Sequence, residues 1–295
     1  IVNGMPEDMD NLDLPDRSSV KDTYDQALSD LKKAEELMSD FKSPAYASKY
    51  AAQALLAKVY MYMSGTFENP NKEYAQLSYN YANEVIESNQ FSLLSRSTFM
   101  TYNELAPDAA SQTETIFAVK FIASDWDDWG SPLGSMYAEI DGQGWGEVYA
   151  SAKYMDLLHE TGKNTDAREA FIHPQYKKND AGDQIPAFRF VANLYTDGKI
   201  SGYVYRQGET KEVGGKLIAT VDDEEYTLTP VDVDNKRYSI SYKGKTYVGD
   251  YDYLMLESQG NPKFYSYKCS KQEGYPHLYS PVISRLGELY LIRAE

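Results

Sequence analysis

YASKYAAQALLAKVYMYMSGTFENPNKEYAQLSYNYANEVI, residues 46–86, is the stretch from which the fold is read. Its first half repeats small or apolar residues at Ala47, Tyr50, Ala51, Ala54, Leu55, Val59, Tyr62 and Met63. That spacing predicts a helix with one buried stripe. Ser43 and Pro44 offer an N-cap and a first-turn proline, and Gly65 stands where a C-terminal cap is expected. The second half puts Tyr74, Leu77, Tyr81, Val85 and Ile86 on one face and ends near Asn89. The two helices are expected to pack on each other.

Inside this pair, Leu56-Ala57-x-x-Tyr60 and Ala75-x-x-x-Tyr79-x-x-Ala82 carry the small and aromatic positions of a tetratricopeptide repeat. A small Ala57 lets the second helix come close, with Tyr60 and Tyr79 expected to fill the groove beside it. The loop Ser64–Lys72 is longer than a standard repeat allows. The spacing recurs at Ala27-x-x-x-Leu31-x-x-Ala34 and at Leu286-Gly287-x-x-Tyr290. The alternative is an ordinary helical bundle with alanine-rich contacts. The expected fold is mainly α: tetratricopeptide-like helical repeats with a loop-rich face and a small β insertion.

Length and composition bound the function. The chain has 295 residues, with 29 Lys and Arg against 45 Asp and Glu, a net charge of −16. That surface repels phosphate, so neither nucleic acid nor anionic lipid is an expected partner. No apolar run approaches the length of a membrane span. The single Cys269 excludes an internal disulfide framework and a cysteine zinc site. The chain reads as a fragment cut at both ends, one domain over 1–295. Tyrosine is abundant, 27 residues against 10 Phe and 3 Trp. It pairs an apolar ring with a hydrogen-bonding edge, which suits sugars and peptides as well as helix contacts.

Along the chain, a first helix is expected at 19–38 and a short one at 97–105. Glu114 to Phe121 alternates like a strand. Residues 124–147 hold all three tryptophans among Gly and Asp, and read as loop. Residues 151–161 read as a helix stopped by Gly162, with a short helix from Asp166 to Phe171. From 195 to 256, alternating runs at 200–205, 216–221, 225–229, 237–242 and 245–248 predict a β-meander insertion. A final helix is expected from Pro281.

The order of these features resembles the SusD/RagB family. The carrying residues are Arg17-Ser18-Ser19-Val20, Asp30-Leu31-Lys32-Lys33-Ala34, Tyr50 to Tyr60 and Tyr81-Ala82-Asn83-Glu84-Val85-Ile86. Glu114-Thr115-Ile116-Phe117, Asp166-Ala167-Arg168 and the most specific run, Pro281 to Glu295, follow. The β-like insertion lies outside that pattern. The resemblance implies helical repeats under a loop-rich face and a non-catalytic surface lipoprotein of the outer membrane. It implies capture of a glycan, or of peptide in some members, and a SusC-like TonB-dependent transporter as partner. Membrane contact would run through a lipid anchor outside this fragment. A repeat scaffold for protein partners is the alternative.

The candidate ligand-binding residues are Trp126, Trp129, Trp145, Tyr137 and Asp128. A ring on a rigid surface can stack on sugar C–H groups, and aspartates beside it can accept hydroxyl protons. Trp145 lies between glycines that would let a ligand or backbone approach closely. Tyr203 and Tyr205 are weaker candidates, and each Trp could equally anchor its own loop. Enzyme signatures are missing: no Gly-x-Ser-x-Gly, no phosphate loop, no His-Glu-x-x-His. His159, His173 and His277 are too scattered for a metal site, and His159 is expected to cap or edge its helix. Asp125, Asp127 and Asp128 lack the EF-hand spacing and read as a solvated acidic loop. Asp166 and Arg168 are expected to form a structural ion pair or helix start. No cofactor, metal or catalytic residue is expected.

Overall fold

A computed structural model of the chain describes residues 16–125, 132–160, 162–163 and 165–295. The helices are α1 (Val20–Leu37), α2 (Lys49–Met63), α3 (Lys72–Glu87), α4 (Arg96–Phe99), α5 (Pro132–Tyr137), α6 (Ala152–Leu158) and α7 (Leu286–Ala294). The first strands are β1 (Thr115–Ala118), β2 (Ile172–Pro174), β3 (Pro186–Thr196), β4 (Lys199–Val213) and β5 (Lys216–Val221). Next come β6 (Glu224–Thr227), β7 (Thr229–Asp232), β8 (Arg237–Tyr242) and β9 (Lys245–Tyr253). The short strands β10 (Glu257–Ser258), β11 (Asn261–Pro262), β12 (Phe264–Ser266) and β13 (Val282–Arg285) complete the set. About 32% of the described residues are helix and 30% strand, so the fold is not mainly α. The chain forms two compact units.

Among the described residues, the first unit comprises 16–95, 105–120 and 280–295. Here α1 packs on α2, α2 on α3, and α7 against α2 and α3. Small residues make this possible. Ala51, Ala54, Ala57 and Ala82 are buried, and Ser78 Oγ donates 2.8 Å to the Ala57 carbonyl. Ser19 caps α1 by accepting from the Asp22 N–H. For α2 the cap is Ser48, not Ser43, because the helix begins at Lys49. Tyr60 is 3% exposed and stacks on Tyr81 at 5.8 Å, whereas Tyr79 is 45% exposed and does not fill the groove.

Two distant parts of the sequence meet in this unit. β1 pairs antiparallel with β13, so Pro281 opens a strand and the last helix starts only at Leu286. The buried Glu114 explains the junction. Its carboxylate accepts from the Leu94 N–H at 3.2 Å and the Gly287 N–H at 3.1 Å, with Arg285 Nη1 at 3.8 Å. A Cβ on Gly287 would sit 2.6 Å from Glu114 Oε1, so a larger residue there would push the carboxylate aside.

The second unit comprises the described residues within 96–104 and 121–279. Its centre is a seven-stranded antiparallel sheet in the order β6-β5-β4-β3-β9-β8-β7. Two-residue turns at Asp197-Gly198, Gly214-Gly215, Asp222-Asp223 and Lys243-Gly244 have φ positive at both positions, the geometry that matches strand twist. The sheet curls until β6 lies against β8, closing over Phe188, Phe190, Val221, Leu228 and Ile240. This sheet is far more than a small β insertion in a helical protein. β3 lies largely outside the expected meander because its pattern does not alternate: Ala187 to Phe190 are all buried, Arg189 included. α6 packs on β3 and β4.

Candidate functional site

Both sites below lie in the second unit. The first is the loop that follows α5. Its backbone is fastened from several directions. The Trp145 and Gly146 N–H groups both donate to the Ser135 carbonyl, at 2.8 and 2.9 Å, and the Val148 N–H donates to Met136. Ile140 and Gln143 exchange two bonds, and His277 Nε2 lies 2.8 Å from the Gln143 carbonyl. Gly144 has φ +92°, and a Cβ there would meet the Ala138 carbonyl and stand 2.6 Å from His277 Nε2. A Cβ on Gly146 would meet the Tyr265 ring. The flanking glycines therefore admit the protein's own His277 and Tyr265. Trp145, held between them, is 51% exposed.

The second site is a buried network of charges. His159 is the C-cap residue of α6, in keeping with the sequence reading, but its ring does more. Nδ1 lies 2.7 Å from Asp250 Oδ2 on β9, and Nε2 lies 2.8 Å from Glu169 Oε1. Asp250 also takes Arg237 Nη1 at 3.1 Å. Its neighbour but one, Asp252, accepts from Tyr176 Oη and Arg189 Nη2, both at 2.8 Å, and from Lys163 Nζ at 3.4 Å. A cavity of about 320 Å³ opens beside the network, with Ile172, Pro174, Phe264 and Met155 among its apolar lining.

Burial works against charge on His159, yet its bonds to Asp250 and Glu169 raise its pKa above the ordinary value. Burial likewise opposes charge on Asp250, but His159, Lys163 and Arg189 bring its carboxyl down to about 2. Asp252 is lowered too, against its burial, chiefly by Arg189 and Lys163. Lys163 is lowered by burial and by the Arg189 charge beside it. These carboxylates are held as anions bound to cations. None has the raised pKa that a general acid at neutral pH needs.

Of the sequence candidates, Trp145 and Tyr137 fall on one local substructure, the loop and the α5 end to which it is bonded, with Tyr137 half-buried. Trp126, Trp129 and Asp128 lie outside the described residues. Tyr203 is exposed on β4, with Lys153 Nζ 5.1 Å above its ring. Tyr205 is buried, its hydroxyl 3.1 Å from Gln207 Oε1. Asp166 starts a short 3-10 helix and grips the Arg168 guanidinium through both carboxylate oxygens, the ion pair and helix start expected of them. The charge network was not visible in the sequence. Its bonded partners stand up to 91 positions apart, and 45 acids offer pairs everywhere.

Among the described residues no group of His, Cys, Asp and Glu could hold a metal ion, and no helix is long and apolar enough to cross a membrane. Comparison with the curated proteins returns no match. Residues 2–61 match the SusD-like_3 family model, described as starch-binding associating with outer membrane. A SusD superfamily protein from Parabacteroides distasonis ATCC 8503 shares the fold with a TM-score of 0.52 at 15% identity, over 94% of this chain and 46% of that one. A SusD-like protein from Bacteroides fragilis NCTC 9343 aligns at 21% identity and a TM-score of 0.44, over 97% of this chain and 51% of that one. The chain thus spans about half the length of these structures. The two findings agree in direction: residues 2–61 match the SusD-like family model, and the chain shares the fold of a SusD superfamily protein along nearly all of its length.

Proposed function

We propose that the chain is part of a surface glycan-capture lipoprotein of the outer membrane. It binds oligosaccharide or polysaccharide without catalysis and delivers it to a partner SusC-like TonB-dependent transporter. The observation that carries the reading is Trp145, half exposed on a loop locked to its support by backbone bonds and by His277. A preorganised indole stacks on a pyranose at little ordering cost. Tyr137 is assigned to the same ligand surface, and Trp126, Trp129 and Asp128 are kept as ligand candidates on residue type alone. The family description, starch-binding and associated with the outer membrane, supports both the ligand class and the location. The pairing of Asp250, Asp252 and Glu169 with cations supports a binding role over a hydrolytic one, since glycoside hydrolysis needs an acid kept protonated.

The test is affinity electrophoresis of the protein through a panel of polysaccharides, alongside Trp145→Ala. Retardation by one glycan, lost in the variant, is the expected result. Migration unaffected by every glycan would sink the glycan reading and favour peptide capture. Release of reducing ends by the pure protein would sink the non-catalytic one.

A further inference from the structure

The 320 Å³ cavity beside the charge network has no place in the glycan reading. It lies within one unit and falls in the size range of small-molecule pockets, apolar on one side with a few convergent polar groups. The apolar part is Met155, Ile172, Pro174 and the Phe264 ring. The polar part is His159, Lys163, Glu169, Tyr176, Arg189 and Asp252.

The bonds inside this group leave an excess of donors. Asp252 already binds Tyr176, Arg189 and Lys163, and Glu169 already binds His159. The Arg189 side chain is only 7% exposed, and its Nη1 has no hydrogen-bond partner among the described residues. A buried guanidinium N–H without an acceptor is costly, and structures rarely leave one so. Among the described residues Lys163 reaches one carboxylate, at the long distance of 3.4 Å, and an ammonium has three hydrogens to place. Burial and the Arg189 charge both disfavour its proton, a penalty that a further anion would relieve.

We propose that this cavity binds a small molecule through a carboxylate, which Arg189 and Lys163 receive, while the apolar wall takes the body of the ligand. The binding is non-covalent, and a guanidinium is the group best shaped to hold a carboxylate. The carboxylate could come from an acidic sugar or from a free organic acid of similar size. The proposal stands apart from the glycan surface at Trp145, and either can fail alone.

The test is a titration of the protein with glucuronate, with its neutral counterpart glucose, and with phenylacetate. Binding is read by calorimetry and by the arginine side-chain NMR signals. Glucuronate, phenylacetate or both should bind and move the Arg189 signals, and glucose at equal concentration should do neither. Glucuronate alone identifies an acidic sugar; phenylacetate alone identifies a free acid. Lys163→Met should weaken that binding at least tenfold, and Trp145→Ala should leave it unchanged. Binding of glucose as strong as that of the acids would overturn the proposal, as would an unchanged affinity in Lys163→Met. So would failure of both acids to bind. Arg189 Nη1 would then be satisfied by one water in the void of about 20 Å³ it shares with Asp156, Asp250 and Tyr205.

Discussion

His159 Nδ1 lies 2.7 Å from Asp250 Oδ2, so the end of a seven-residue helix is bolted to a strand that arrives 91 positions later. The bolt is an ion pair only while the imidazole carries its second proton. Its folded pKa is raised above the usual 6.5, so its stabilisation is complete below that value and fades as pH climbs through the folded one. Asp250, held near 2 against an ordinary 3.8, contributes above 3.8 and loses its contribution as pH falls toward 2. The denaturation midpoint should therefore decline from about pH 6.5 upward. Asp250→Asn should shrink that decline, leaving the part that Glu169 supports, and cost about 3–5 kcal/mol, the usual loss on breaking a buried pair. A midpoint indifferent to alkaline pH in the unmodified protein would contradict this.

His173 should behave in the opposite sense. Burial first, and then the Lys271 charge, hold its pKa near 4 against the usual 6.5, and its ring stacks on Tyr267 at 3.7 Å. The folded state keeps it neutral, so stability is full above about 6.5 and drains away between 6.5 and 4. Proton NMR of the three histidines should show one titrating clearly below and one clearly above the ordinary value. Lys271→Met should move the low one up.

Gly144→Ala should cost about 1–3 kcal/mol, the strain of a left-handed residue added to contact with the Ala138 carbonyl and His277. Gly142 supplies the control. Its φ is +78°, but a Cβ there meets nothing within 4 Å, so Gly142→Ala should cost only the backbone part. Denaturant melts of the two variants give the comparison. Equal losses would show that neither the Ala138 nor the His277 contact constrains the loop at Gly144.

Glu114→Ala should destabilise the protein by about 3 kcal/mol, because the Leu94 and Gly287 N–H groups both lose their acceptor. Glu114→Gln, which keeps one oxygen, should lose less. Chemical denaturation separates the two, and similar losses would mean that the amide bonds are not what Glu114 contributes.

The helices were legible because their signals are local. Ser19, Asn71 and Gly65 all mark helix ends, and the buried alanines keep a 3.6-residue rhythm. The 45% exposure of Tyr79 shows the limit of that rhythm: spacing gives a face but not which neighbour covers it. Strands with two-residue turns were legible for the same local reason. β3 was not, since Arg189 interrupts its apolar face and is buried all the same, in a network assembled from segments far apart in sequence. The balance of helix and sheet was misjudged along with it. At the candidate site, the aromatic type of Trp145 was plain in the sequence. The support that His277 gives its loop was not, because it comes from 134 positions away at Gln143.

The two outermost strands of the large sheet, β6 and β7, are joined by one residue, Leu228. Its side chain is buried in the core, and its N–H bonds to the Leu217 carbonyl. An open sheet of seven strands presents two distant edges to which other chains can add. Here the edges are tied to each other, so neither can peel away without pulling Leu228 from the interior. A single proteolytic cut at Leu228 would remove no strand and break no ladder, yet it would untie both edges at once and turn a self-sealed sheet into a template for aggregation.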